Sequence, residues 1–102
     1  MNEERITTLR KLLEMDPDDT FTRYALGLEH LVQEPRQAQE IFREVVARQS
    51  DYVAAWFQLG KVCADLGETD AARQAYEKGQ EHAARQQDWH AHGELQEALD
   101  EL

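Results

Sequence analysis

Residues 56–60 read Trp-Phe-Gln-Leu-Gly, and a related pattern recurs as Arg-Tyr-Ala-Leu-Gly at 23–27 and as Trp-His-Ala-His-Gly at 89–93. The glycines that end the three copies stand 33 residues apart, twice in succession. A fixed period of this length is typical of chains built from stacked repeats, each of which is one supersecondary unit. The sequence therefore predicts a repeat architecture.

A small residue one helical turn before an aromatic residue recurs between the copies, as Ala38 with Phe42 and Ala72 with Tyr76. Apolar residues elsewhere recur at steps of three and four, and the alternation typical of a strand is absent. Each repeat should therefore hold two helices. Turn and cap residues predict helices at 3–15, 18–33, 36–49, 52–66, 69–86 and 88–101. No Gly or Pro marks the break near Gln87, so the last two helices could instead be continuous.

Glycine inside a helix costs about 1 kcal/mol relative to alanine, so glycines at matched positions need a common reason. We expect close approach of the facing helix at Gly27 and Gly60. The small Ala38 or Ala72 on that helix would let the pair close further. An alanine at either glycine should fit less well, and a leucine should not fit.

The middle copy combines a Trp-x-x-Leu-Gly first helix, a turn at Gly67 and an Ala-x-x-x-aromatic second helix. This combination resembles the tetratricopeptide repeat. The chain departs from the family pattern at Arg23 and Cys63, where Trp and Tyr are usual, and at Ser50 and Ala84, where a closing proline is common. The positions that carry the resemblance are Leu26, Gly27, Ala38 and Phe42 in the first copy and Trp56, Leu59, Gly60, Ala72 and Tyr76 in the middle copy.

The resemblance implies an all-α fold, in which antiparallel helix-turn-helix repeats form a short right-handed α-solenoid of about six helices. Residues 1–102 would form a single domain. It would contain an N-terminal half repeat at 1–16, full repeats at 17–50 and 51–86, and a C-terminal capping helix at 87–102. A terminal cap shields the last apolar face of such a solenoid.

In this family the first helices of the repeats line a concave groove. The groove floor would then include Phe21, Tyr24, Leu28 and Leu31 from one repeat and Ala54, Phe57, Lys61 and Ala64 from the next. The apolar arc of the helix at 18–33 is wider than one packed face requires, which favours a binding surface. A neighbouring helix could equally cover these residues, and both interpretations stay open. A peptide helix or an apolar segment would fit the groove, with Lys61 offering one charge contact.

Some relatives hold the C-terminal carboxylate of chaperones with Lys, Asn and Arg side chains in this groove. The matching positions here are Tyr24, Leu28, Gln58, Gln87 and Ala91, and none of them is a cation. The sequence therefore argues against a receptor for chaperone tails, although the fold alone would have suggested one.

Charge and hydropathy exclude several classes of partner. Asp and Glu outnumber Lys and Arg by 21 to 11, so the chain should repel nucleic acid and anionic membrane surfaces. The segment 88–102 is its acidic pole. No apolar run approaches the roughly 20 residues that span a bilayer, and the N-terminus lacks the apolar segment of a signal peptide. We expect a cytoplasmic protein.

No catalytic or metal-binding constellation is evident. Cys63 lies in an apolar stretch and is expected to be a buried structural thiol, with Lys61 as the only base within a turn and pointing elsewhere. His90 and His92 stand two residues apart, which on a helix directs them away from a common ion. His92 takes the place that leucine has in the other two copies. We expect no cofactor and no enzymatic activity.

The leading hypothesis is therefore an adaptor or scaffold module that binds a peptide or protein surface. The alternative is a self-associating structural domain, because two full repeats are few for a continuous core. A homodimer would then form through the groove or through the terminal helices, where exposed apolar residues, Ile6 and Leu9 or Leu95 and Leu99, would pair with a second copy. On that view, Leu95→Asp with Leu99→Asp would separate the copies.

Overall fold

Six α-helices follow one another along residues 2–102, the part of the chain that the computed structural model describes, and no strand occurs within it. They span Glu3–Met15 (α1), Thr20–His30 (α2), Pro35–Arg48 (α3), Val53–Asp65 (α4), Thr69–Arg85 (α5) and Trp89–Asp100 (α6). The predicted all-α repeat solenoid is confirmed. Each helix boundary lies within three residues of its predicted place.

Capping residues explain where the helices begin. Asn2, Asp19 and Asp88 each accept a hydrogen bond from the backbone N–H three residues later, at 2.9 to 3.1 Å. These bonds satisfy donors that the first turn of a helix leaves without a partner. α3 begins instead with Pro35, whose missing N–H costs nothing at that position.

Two turns of the same kind end α4 and α5. The backbone turns through positive φ at Gly67 (78°) and at Gln87 (58°). In both turns the N–H of the next residue donates to the carbonyl five residues earlier, at 2.8 and 2.9 Å. This bond is typical of a Schellman motif, which terminates a helix. α5 and α6 are therefore separate helices, although Gln87 is not a glycine.

Gly27 and Gly60, which end the first two copies of the pattern, each lie beneath an aromatic ring. A β-carbon added at Gly27 would lie 2.5 Å from a ring carbon of Phe42, and one added at Gly60 would overlap the ring of Tyr76. The facing helix does approach closely at these positions. The aromatic side chain, and not the alanine one turn before it, occupies the space beside each glycine.

One cluster of buried apolar side chains runs from α3 to α6, and Leu26 of α2 is also buried. Its members are apolar side chains at helical spacing, and α1 adds only Ile6 to the buried set. The core consists of Ala38, Phe42, Val45, Val46, Ala55, Leu59, Val62, Cys63, Ala72, Ala75, Tyr76, Ala83 and Leu95.

The third copy of the pattern is not in the expected register. α5 has 17 residues and α3 has 14, so α6 starts at residue 89, 36 residues after α4, whereas α4 starts 33 residues after α2. Leu95 is therefore the buried leucine of α6, and it packs against Gly79. Gly93 has no neighbour within 4 Å of an added β-carbon. Residues 89–93 thus resemble the pattern in sequence, but Leu95 takes the buried place that the leucines have in the other two copies, and His92 is only half-buried.

Candidate functional site

Two adjoining recesses lie between α4 and α6 and together form the groove. One has a volume of about 350 Å³ and the other about 200 Å³, and Phe57 and Glu94 line both. Tyr24 of α2 closes one end. The groove is lined by Tyr24, Val53, Ala54, Phe57, Gln58, Lys61, Ala64, Asp65 and Tyr76, and by Asp88, Ala91, Glu94, Leu95, Glu97, Ala98, Glu101 and Leu102 from the C-terminal part.

Five of the eight side chains predicted for the binding floor line this groove: Tyr24, Ala54, Phe57, Lys61 and Ala64. The other three lie outside the two recesses, Phe21 and Leu28 on α2 and Leu31 directly after its end. Phe21 is 69% exposed and Leu28 is 39% exposed, whereas Leu31 is half-buried against the core. Neighbouring helices thus cover part of the predicted floor and leave Phe21 and Leu28 open.

Aromatic contacts hold the groove floor in place. The Tyr24 ring centroid lies 5.7 Å from that of Phe42 and 5.2 Å from that of Tyr52, and the ring of Phe57 lies 6.1 Å from that of Tyr76. Tilted pairs at these distances are favourable beyond the area they bury. Burial raises the pKa of Tyr24, and a hydrogen bond with Gln58 opposes that rise. The rings are therefore anchored on one side and reach the groove on the other.

The groove is acidic around a single cation. Lys61 Nζ lies 5.7 Å from the centroid of the Phe57 ring, a cation–π contact. Carboxylates of α4 and of the C-terminal helix line the same recess. Burial, followed by the negative charges of Asp65 and Glu101, raises the pKa of the Tyr76 hydroxyl. Four carboxylates face one ammonium group in this recess, so its electrostatic potential is negative.

An apolar stripe continues from the groove along α2. Phe21, Ala25 and Leu28 follow at steps of four and three and so share one side of α2, and Val32 follows four residues later. Val32 is 92% exposed, just beyond the end of α2. The predicted floor leaves out Val32. The same helical spacing that selects Phe21 and Leu28 was the signal that could have added it.

A further recess lies elsewhere, between α3 and α5 over α4, with a volume of about 640 Å³. Trp56, Leu59, Cys63 and Ala75 contribute apolar lining, and charged side chains of both signs, including Arg43, stand around it. Sequence reasoning missed this cleft. The signal was the pair of alanines one turn apart on α5, at 71 and 75, which leaves the space between the helices unfilled.

Cys63 takes part in a network that ties α3 to the turn after α4. The Gln39 amide donates to the Cys63 sulfur at 3.4 Å and to Glu68 at 2.6 Å, and Arg36 donates to the other Glu68 oxygen at 2.6 Å. The hydrogen bonds from Arg36 and then Gln39 lower the pKa of Glu68. The thiol is 1% exposed, so the predicted buried structural cysteine is confirmed.

Arg23, which stands where the family pattern has tryptophan, makes a hydrogen bond equivalent to that of Trp56. The Trp56 indole N–H donates to the carbonyl of Ser50 at 2.7 Å, and the Arg23 guanidinium donates to the carbonyl of Pro17 at 2.9 Å. In both cases the acceptor lies six residues earlier. The departure from the family pattern at Arg23 therefore keeps the link between the helix and the preceding turn.

The end helices do not present the apolar residues that a homodimer was expected to use. Ile6 and Leu95 are buried within their own chain, and Leu9 and Leu99 are half-buried. The expectation of exposed leucines at the C-terminal end is therefore wrong for Leu95, because the register shift of α6 turns it into the core. On α1 the exposed apolar side chains are instead Leu12 and Met15.

Residues 2–102 contain no group of three or more His, Cys, Asp and Glu side chains that could hold a metal ion. Among these residues no helix is both long enough and apolar enough to cross a bilayer.

Comparison with known proteins agrees with this geometry. The sequence profile of the tetratricopeptide repeat matches residues 32–92. A TPR repeat-containing protein of Pseudomonas aeruginosa is 33% identical over 91 residues, which cover 88% of this chain and 87% of the relative. A tetratricopeptide repeat domain protein from Salinibacter ruber has 39% identity and a TM-score of 0.79, over 84% of this chain and 88% of that one. A protein from Bordetella parapertussis has 28% identity and a TM-score of 0.81, over 94% and 84%.

Proposed function

Because this chain belongs to the tetratricopeptide repeat family, whose domains generally bind other proteins, we propose that it is a non-catalytic adaptor or scaffold. Its partner is a protein or peptide segment that lies along α2 and in the groove. The strongly negative net charge of the chain, −10, disfavours nucleic acid on the same surface.

The uncovered apolar stripe of α2 carries this proposal. Phe21 and Leu28 are large apolar side chains that share one face and remain 69% and 39% exposed. Single exposed apolar residues are ordinary on protein surfaces, whereas a contiguous row beside a recess is typical of an interaction site. The anchored rings of Tyr24 and Phe57 extend this row into the groove.

The shape of the surface favours a segment over a globular partner. A row of apolar side chains at helical spacing, followed by two narrow recesses, fits an amphipathic helix or an extended strand of a partner. Small residues on the groove wall, such as Ala54 and Ala91, leave room for the partner's side chains.

Affinity capture with matched variants tests the proposal. Phe21→Ser combined with Leu28→Ser should lose the proteins that the native chain captures, because the apolar contact area disappears while the fold remains. Met15→Ser is the control, since Met15 is also apolar and 81% exposed but lies on α1, away from the groove. Capture that survives in the double variant, or that is lost equally in the control, would contradict the proposal.

Self-association through α1 is the second candidate. Leu12 is 44% exposed, and Met15 lies one turn further along the same helix. Val45 takes the corresponding position near the end of α3, where it is fully buried. A second copy bound there would give a mass above 11.8 kDa in light scattering as concentration rises. Leu12→Ser with Met15→Ser should then restore the monomer, and the same monomeric mass for the native chain at every concentration would exclude this candidate.

A further inference from the structure

The two walls of the groove are unequally charged. Among the lining residues within 2–102, the only cation is Lys61, on the α4 wall. The carboxylates that line it are Asp65, Asp88, Glu94, Glu97 and Glu101. A segment that enters this recess therefore meets an apolar floor beneath a row of negative charges.

The chain itself neutralises few of these carboxylates. Within residues 2–102, Glu94 pairs with His90 at 3.2 Å, while Asp65, Glu97 and Glu101 form no ion pair within 4.0 Å. Most of the negative charge in the groove is thus available to a partner.

Lys61 shows how a cation is accommodated in this recess. Its ammonium group lies over the face of Phe57 while carboxylates stand on the opposite wall. The face of an aromatic ring attracts a cation, and Arg is an even more frequent partner of such rings than Lys. A lysine or arginine from a partner would find the same combination of ring face and carboxylates.

We propose that the groove selects a positively charged amphipathic segment, in which Lys or Arg residues alternate with apolar ones. This inference rests on the proposed function, because it names the class of partner for the same face. Apolar side chains of the segment occupy the recess beside Tyr24, Phe57 and Ala91. Its cations face Glu94, Glu97 and Glu101, which increases the rate of association and excludes acidic competitors.

Three synthetic peptides test the inference by NMR titration of the full chain. Each has about 14 residues with Leu at the same positions, and the remaining positions are Lys, Gln or Glu. The Lys peptide should shift the amide signals of groove residues and bind at least about tenfold more tightly than the Gln peptide, and raised salt should weaken it. The Glu peptide should not bind.

Charge variants of the protein locate the effect. Glu97→Gln with Glu101→Gln should lower the affinity for the Lys peptide by about three- to tenfold, since each lost surface charge contact contributes little. Glu40→Gln with Glu77→Gln removes the same charge from exposed positions on α3 and α5 and should leave the affinity unchanged. Lys61→Gln should raise the affinity for the Lys peptide, because it frees the face of the Phe57 ring and removes a like charge.

Each contrary result has a distinct meaning. Equal binding of the Gln and Lys peptides in the groove would overturn the charge selection and leave the proposed function standing. An equal loss in the Glu40 and Glu77 control would identify general attraction to an acidic chain, which also overturns the inference. If the Lys peptide shifts no groove residue, the inference fails, and the capture experiment with Phe21 and Leu28 decides the proposed function separately.

Discussion

At the scale of single residues, two glycines of similar sequence context have different surroundings. Gly60 lies beneath the ring of Tyr76, whereas Gly93 has open space around it. Both are inside helices, where alanine is intrinsically better by about 1 kcal/mol. The difference between the two positions therefore comes from tertiary packing alone.

Alanine at these two glycines should have opposite effects. Gly60→Ala should lower the free energy of unfolding by about 1 to 3 kcal/mol, because the new methyl group displaces the Tyr76 ring from a packed core. Gly93→Ala should raise it by up to about 1 kcal/mol. Urea denaturation of both variants measures the change. A gain at Gly60 equal to that at Gly93 would show that the ring moves aside freely.

At the scale of secondary-structure elements, a polar network joins α3 to the turn between α4 and α5. Arg36 and Gln39 both bind the carboxylate of Glu68, and Gln39 also reaches the buried sulfur of Cys63. Gln39 is itself buried, so its amide needs these partners. The network places consecutive repeats relative to each other.

Acid should weaken this link between the repeats. Because the folded state lowers the pKa of Glu68, its carboxylate stabilises the fold above the ordinary value of 4.5, and the contribution disappears as the pH falls through the lowered pKa. Glu68→Gln should therefore show a shallower loss of unfolding free energy below that pH, measured by urea titrations at several pH values. Glu77→Gln, which alters a carboxylate without an ion pair, should keep the native slope; a native slope in Glu68→Gln would contradict the assignment.

At the scale of the whole molecule, α6 closes the core at the C-terminal end. Leu95 is 1% exposed and fills the space beside Gly79, while the outer side of the helix carries polar residues. Gln80 of α5 binds Gln96, which binds Asp100 in turn. The polar outer face is what a terminal cap of a solenoid requires.

Truncation of Leu95 should lower the free energy of unfolding of the single chain, because Leu95 is buried within that chain. Leu95→Ala should cost about 2 to 5 kcal/mol, the range for leucines in a fully packed core. Leu99→Ala, at a half-buried position, should cost less. Thermal unfolding at two protein concentrations tests this, since a fold stabilised within one chain has a Tm that does not depend on concentration. A Tm of the native chain that rises with concentration would instead show that an assembly of copies stabilises the fold.

The groove is also a property of the whole molecule. Phe21, Tyr24 and Phe57 could be selected from the sequence, because the family resemblance implies that the first helices line a groove. The sequence could not show that an acidic wall stands opposite these residues. Glu94, Glu97 and Glu101 reach the groove only because α6 packs beside α4.

The sequence by itself determined the six helices and their pairing into repeats, since caps, turn residues and apolar periodicity act over a few neighbouring residues. It also indicated the close approach at Gly27 and Gly60, because a repeated helical glycine has a cost that only packing can offset. Tertiary structure alone decided that Leu95, and not His92, enters the core. The extra turn of α5 shifts α6 by three residues, nearly one helical turn, and so selects which side chains face the core and which face the groove.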